Sequence, residues 1–123
     1  MMYARYRYCV FMSFTKGRLA EQFACQYLIA RGYCILAQNF SCRFGEIDII
    51  ALYDQVLHFI EVKSRKSTDP VYAITPSKLE KIKKSIGVYL QQSQVNYDFC
   101  IDAITLKGTP PHCQIEWIEN ITL

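Results

Sequence analysis

The hydrophobic positions of this chain follow two rhythms in turn. Leu19, Ala20, Phe23, Ala24, Tyr27 and Leu28 recur at three- and four-residue intervals, the pattern of one buried face of an α-helix. Thr15 is placed to cap that helix and Gly32 to stop it. The rhythm then shortens to two. Residues 33–37 predict a short strand. Residues 45–53 predict a longer one, with Ile47, Ile49 and Ala51 on one face and Asp48, Ile50 and Leu52 on the other. Residues 56–63 return beside it through a tight turn at Asp54 and Gln55. Both long strands are apolar on both faces, which predicts a sheet covered on both sides.

After the polar stretch 64–74, Thr75 and Pro76 are placed as N-cap and first residue of a second helix. Leu79, Ile82, Ile86, Tyr89 and Leu90 mark its buried stripe, and Lys78, Lys81, Lys83 and Lys84 lie around the rest. A strand over 99–106, a turn or loop over 108–111 and a last strand over 115–118 complete the pattern. The order is helix, three strands, helix, two strands, which predicts an α/β fold with a mixed central sheet flanked by helices. No repeat or linker divides it. Residues 15–123 are expected to form one domain, and 1–14 a tyrosine- and arginine-rich extension of low order.

Composition narrows the picture only a little. At 123 residues, 51% of them hydrophobic, the chain can bury one core without cross-links. The net charge of +3 permits an anionic partner without demanding one. Cys9, Cys25, Cys34, Cys42, Cys100 and Cys113 lack zinc-knuckle spacing. They are expected as reduced thiols in a cytoplasmic protein. The apolar run near the start is too short and too interrupted for a signal peptide. No run approaches the roughly 18 apolar residues of a membrane helix.

Three charged residues stand where a covered sheet should be apolar: Asp48, Glu61 and Lys63. Glu61 and Lys63 share a strand face, and a hairpin would bring Asp48 to them. A buried carboxylate is costly unless paired or bound to a metal. Two carboxylates and a lysine suit phosphodiester hydrolysis, in which Mg²⁺ or Mn²⁺, favoured by hard oxygen ligands, activates a water. A structural salt bridge is the bland alternative, although one lysine cannot neutralise two carboxylates.

Asp48 followed by Glu61-Val62-Lys63 resembles the PD-(D/E)xK nuclease signature, with Ile47 in place of the proline. Four segments in order widen the likeness: Lys16-Gly17-Arg18 with Glu21, Phe44 through Ile50, Phe59 through Arg65, and Thr75-Pro76-Ser77-Lys78. Together they resemble the YraN family, small bacterial proteins of expected nuclease fold akin to archaeal Holliday-junction resolvases. The resemblance implies a restriction-endonuclease-like sheet. It implies that Asp48 and Glu61 bind metal with the Val62 carbonyl, that Lys63 is the catalytic lysine, and that Glu21 completes the acidic cluster. It also implies DNA, with branched DNA one form, as substrate, and a homodimer by analogy with the resolvases.

Arg43, Arg65, Lys66, Thr75 and Lys78 are the candidate nucleic-acid contacts. Thr75 and Lys78 also admit simple capping and a solvated lysine. Glu46 reads as a surface residue or a partner of Arg43 or Arg65, His58 as structural, and Trp117 as core. Asp102 reads as an edge residue or the partner of a base. Two other classes of function stay open beside a metal-dependent endonuclease. One is a catalytically weak nucleic-acid-binding or adaptor protein that retains the fold. The other is a structural protein whose acidic cluster is only an ion-pair network.

Overall fold

The computed structural model describes residues 16–66 and 74–121. In chain order its elements are α1 (Lys16–Ala30), β1 (Cys34–Cys42), β2 (Gly45–Tyr53), β3 (Val56–Arg65), α2 (Pro76–Ser93), β4 (Asp98–Thr109) and β5 (His112–Ile118). The strands form one sheet in the order β1-β2-β3-β4-β5. Neighbours run antiparallel except β3 and β4, which are parallel. A parallel pair needs a long crossover, and α2 lies in it. The β2–β3 hairpin closes on Asp54 and Gln55, both left-handed at φ 49° and 64°, as a two-residue turn matched to strand twist requires. The mixed α/β order read from the sequence is thus the observed one.

Each helix covers one face. Ala20, Ala24, Cys25 and Leu28 of α1 pack on Ile35, Ile49, Ala51, Ile60, Ile104 and Leu106. Ile82 and Ile86 of α2 pack on Ile47, Ile50, Leu57, Phe59 and Ile101. Thr75 caps α2 and Pro76 opens it, as expected. The expected cap Thr15 and the extension 1–14 lie outside the described residues.

Several expectations need correction. Leu19 is exposed rather than part of the α1 stripe. Strand β1 continues to Cys42, because the polar second half of an edge strand needs a pairing partner on one side only, and β2 supplies it. Strands β4 and β5 reach as far as the Thr109↔His112 pair, so the expected loop over 108–111 shrinks to a hairpin turn. Ile47 packs with Ile50 in the α2 cluster, not with Ile49 and Ala51. The change falls where strand pairing ends: the β2–β3 ladder runs from Tyr53↔Val56 only to Ile49↔Ile60. Before Ile49, β2 is held by β1 alone, and the two-residue alternation breaks at Asp48.

At the other end of β3 a polar cluster ties three strands together. Asp102, fully buried, accepts from the His58 ring at 2.6 Å and Trp117 Nε1 at 3.2 Å. It also accepts from the Asn120 backbone N–H at 2.9 Å and the Cys100 thiol at 3.4 Å. Burial alone would raise this carboxyl. The bonds from His58, Asn120 and Trp117 outweigh burial and hold it below the usual carboxylate range. Asp102 is therefore the partner of a base, not an edge residue, and Trp117 serves it as well as the core.

Candidate functional site

Where β2 and β3 part, the gap is bridged by a side chain. Asp48 Oδ2 accepts the Val62 backbone N–H at 2.8 Å. Glu61, the next residue of β3 beyond the ladder, is buried and lies on the same strand face as Phe59, toward α2. From α2 the Lys78 ammonium reaches Glu61 Oε2 as an ion pair. Glu21 enters from α1 and is close enough to Glu61, Glu46 and Asp48 to feel or exert their charge. Four elements, two strands and a helix from each side of the sheet, thus converge on one break in its hydrogen bonding.

The electrostatics are unbalanced. Burial is the main cause that pushes the Asp48 carboxyl up to about 8. The neighbouring Glu61 charge adds to it, the Val62 N–H opposes it, and Glu21 raises it further. Glu21 is also raised, by burial first. Asn39 and Arg18 pull the other way. Asn39 approaches without reaching hydrogen-bond geometry, because Glu21 Oε1 and Asn39 Nδ2 are both buried with no partner. A buried carboxylate oxygen without a donor, beside two further carboxylates, is an arrangement that a hard cation relieves.

The other candidates fall into two clefts. On the α1 side, Lys63, Arg65 and Lys66 line a cleft of about 550 Å³ together with Glu21 and Val62. On the α2 side, Thr75 and Lys78 line a second cleft of about 390 Å³ with Gly45 and Glu46. Thr75 Oγ1 accepts the Lys78 backbone N–H at 3.1 Å. Arg43 is exposed between β1 and β2, with its guanidinium 4.7 Å from the Phe44 ring centre. Arg65 pairs with Glu116 at 3.2 Å, and Glu46 accepts from Ser41 Oγ at 3.3 Å. Arg43, Arg65, Lys66, Thr75 and Lys78 therefore do not form one continuous basic patch. The sequence reading named Arg18 in one motif with Glu21 but missed Asn39 there, and it missed that Lys78 contacts Glu61. Lys78 carried a signal: it is the third residue of a helix, where a cation is disfavoured.

His58, Cys100 and Asp102 also bring one ligand atom each within 4.8 Å of the others. Their chemistry points elsewhere. Both oxygens of Asp102 already accept hydrogen bonds, and such a satisfied network fixes structure. The five described cysteines are free thiols. Among the described residues no helix is long and apolar enough to cross a membrane.

Fold and site together define a small α/β protein with a five-stranded mixed sheet and a buried acidic cluster at a strand break. Residues 20–106 match the model of the uncharacterised protein family UPF0102. A UPF0102 protein of Helicobacter hepaticus is 52% identical over 108 residues, 88% of this chain and 94% of the relative. One from Helicobacter pylori is 53% identical over 108 residues, 88% of this chain and 91% of the relative. One from Wolinella succinogenes is 48% identical over 112 residues, 91% of this chain and all of the relative. The chain belongs to the UPF0102 family, whose description assigns no activity.

Proposed function

We propose that this protein is a metal-dependent endonuclease of the PD-(D/E)xK type that hydrolyses DNA phosphodiester bonds in the cytoplasm, with branched DNA as the substrate form to test first. One observation carries the reading: Asp48 and Glu61 crowd together with Glu21, whose Oε1 is buried without a donor. Stability alone gives no reason to keep three carboxylates so placed. The donor set is all oxygen, which fits Mg²⁺ or Mn²⁺. Asp48 and Glu61 would hold the ion with the Val62 carbonyl, and Glu21 would complete the acidic set. When bound, the ion supplies a water of lowered pKa and positive charge against the phosphate. Lys63, exposed two residues beyond Glu61, stabilises charge that develops on the phosphate. The Val62 N–H fixes the orientation of Asp48. Arg43, Arg65 and Lys66 contact the DNA backbone, weakly and with strong salt dependence. Thr75 sets the positive end of the α2 dipole toward a phosphate. Two cuts across a junction would call for a homodimer.

The test is cleavage of linear, flapped and four-way DNA with Mg²⁺ or Mn²⁺, run beside Lys63→Ala and Asp48→Asn. The expected result is nicking by the parent that falls by at least ~100-fold in either variant. Equal cleavage by all three proteins would overturn the reading. Binding of DNA with no cleavage would instead favour an adaptor that keeps the fold.

A further inference from the structure

Lys78 occupies a position that helix physics disfavours. It is the third residue of α2, beside the positive end of the helix dipole, and the first turn carries no acidic residue to offset it. The third position of a helix commonly holds Glu or Gln, whose side chain reaches back to the cap. Here the cap is complete without that help, since Thr75 Oγ1 takes the Lys78 N–H. The lysine stem leaves the helix and delivers its ammonium to the buried Glu61 carboxylate. The pair is asymmetric: the Glu61 side chain is 8% exposed and that of Lys78 is 46% exposed. One partner is fixed in the sheet, and the other borders the adjoining cleft lined by Thr75 and Gly45. A surface role would not require the contact with Glu61, and a core role would not leave the lysine half exposed.

We propose that Lys78 is a positioning residue of the acidic site: it holds Glu61 in place as a removable cation, yields that carboxylate to a divalent ion, and then contacts the substrate phosphate at the α2 N-terminus. The inference rests on the metal-dependent reading above. It makes Lys78 distinct from Lys63, which sits on β3 itself. It also makes a prediction that runs against simple loss of function. If Lys78 competes for Glu61, removing its charge should tighten metal binding while slowing the reaction.

The experiment is Mn²⁺ titration calorimetry together with steady-state cleavage, on the parent, Lys78→Gln, Lys78→Arg and Lys83→Gln. Lys83 is exposed on the same helix, so its variant removes the same charge away from Glu61. If the ammonium holds Glu61 about nine-tenths of the time, Lys78→Gln should bind Mn²⁺ about tenfold more tightly. Lys83→Gln should match the parent. At saturating Mn²⁺, Lys78→Gln should raise KM and lower kcat, and Lys78→Arg should recover most of both. Unchanged Mn²⁺ affinity in Lys78→Gln would overturn the role of Lys78 and leave the nuclease reading intact. Equal tightening in Lys83→Gln would overturn it too, by showing only a general field effect. A parent protein that neither binds Mn²⁺ nor cuts would overturn the nuclease reading, and this inference with it.

Discussion

Asp48 and Asp102 lie on the two strands that flank β3, and they have opposite surroundings. Asp102 is fully buried, yet its carboxyl is held below the usual range because hydrogen-bond donors converge on it from His58, Asn120 and Trp117. Asp48 is partly buried, and its carboxyl is pushed up to about 8, because burial and the charges of Glu61 and Glu21 outweigh its one backbone donor. Depth alone therefore does not decide what a buried carboxylate is for. The balance of donors against like charges does. At the Asp102 end the protein has completed its own electrostatics. At the Asp48 end like charges outnumber the donors.

The comparison can be broken most sharply by truncation. Asp102→Ala should strand the His58 and Trp117 donors and cost ~3–5 kcal/mol of unfolding free energy, as breaking a buried pair does. Asp48→Asn should cost nothing, because it removes one of three crowded carboxylates. Urea unfolding monitored by Trp117 fluorescence checks both, and equal losses would erase the distinction.

Next in size is stabilisation by metal. Mn²⁺ at about 100 times its dissociation constant should raise unfolding free energy by ~2.7 kcal/mol. Asp48→Asn and Glu61→Gln should abolish that gain, whereas Cys100→Ala should keep it. Loss of the gain in Cys100→Ala alone would move the cation to the wrong end of β3. Thermal unfolding with and without Mn²⁺ reads the result.

The smallest effect per unit is the pH dependence without metal. The folded Asp48 keeps a proton that the unfolded chain releases at its ordinary value of 3.8. Stability should therefore fall as pH rises from about 4 to about 8, by at most ~1.4 kcal/mol per pH unit. Asp48→Asn should flatten that slope. The contribution of Asp102 runs the other way: its folded value is depressed, so its stabilisation is present above pH 4 and is lost in acid. A pH series of urea midpoints separates the two, and an unchanged slope in Asp48→Asn would contradict the charge crowding assigned to Asp48.

The order of elements was legible in the sequence, because a covered sheet and two one-sided helices impose different hydrophobic periods. The hairpin at Asp54-Gln55, the cap Thr75 and the first helical residue Pro76 were legible for the same reason: each depends on a few adjacent residues. Asp48 and Glu61 stood out as charges in apolar strands, and the order of motifs placed Glu21 beside them. Other features depended on where one strand stops pairing with the next. The β2–β3 ladder ends at Ile49↔Ile60, and that end turns Ile47 to the α2 face and lets Asp48 reach the Val62 N–H. Strand register is not local, so no window of sequence could have set it. The same holds for Lys78 and Asp102. Each is a charged residue on a helix or strand whose partner lies 17 or 44 positions away, and only the crossover from β3 through α2 to β4 brings those partners together.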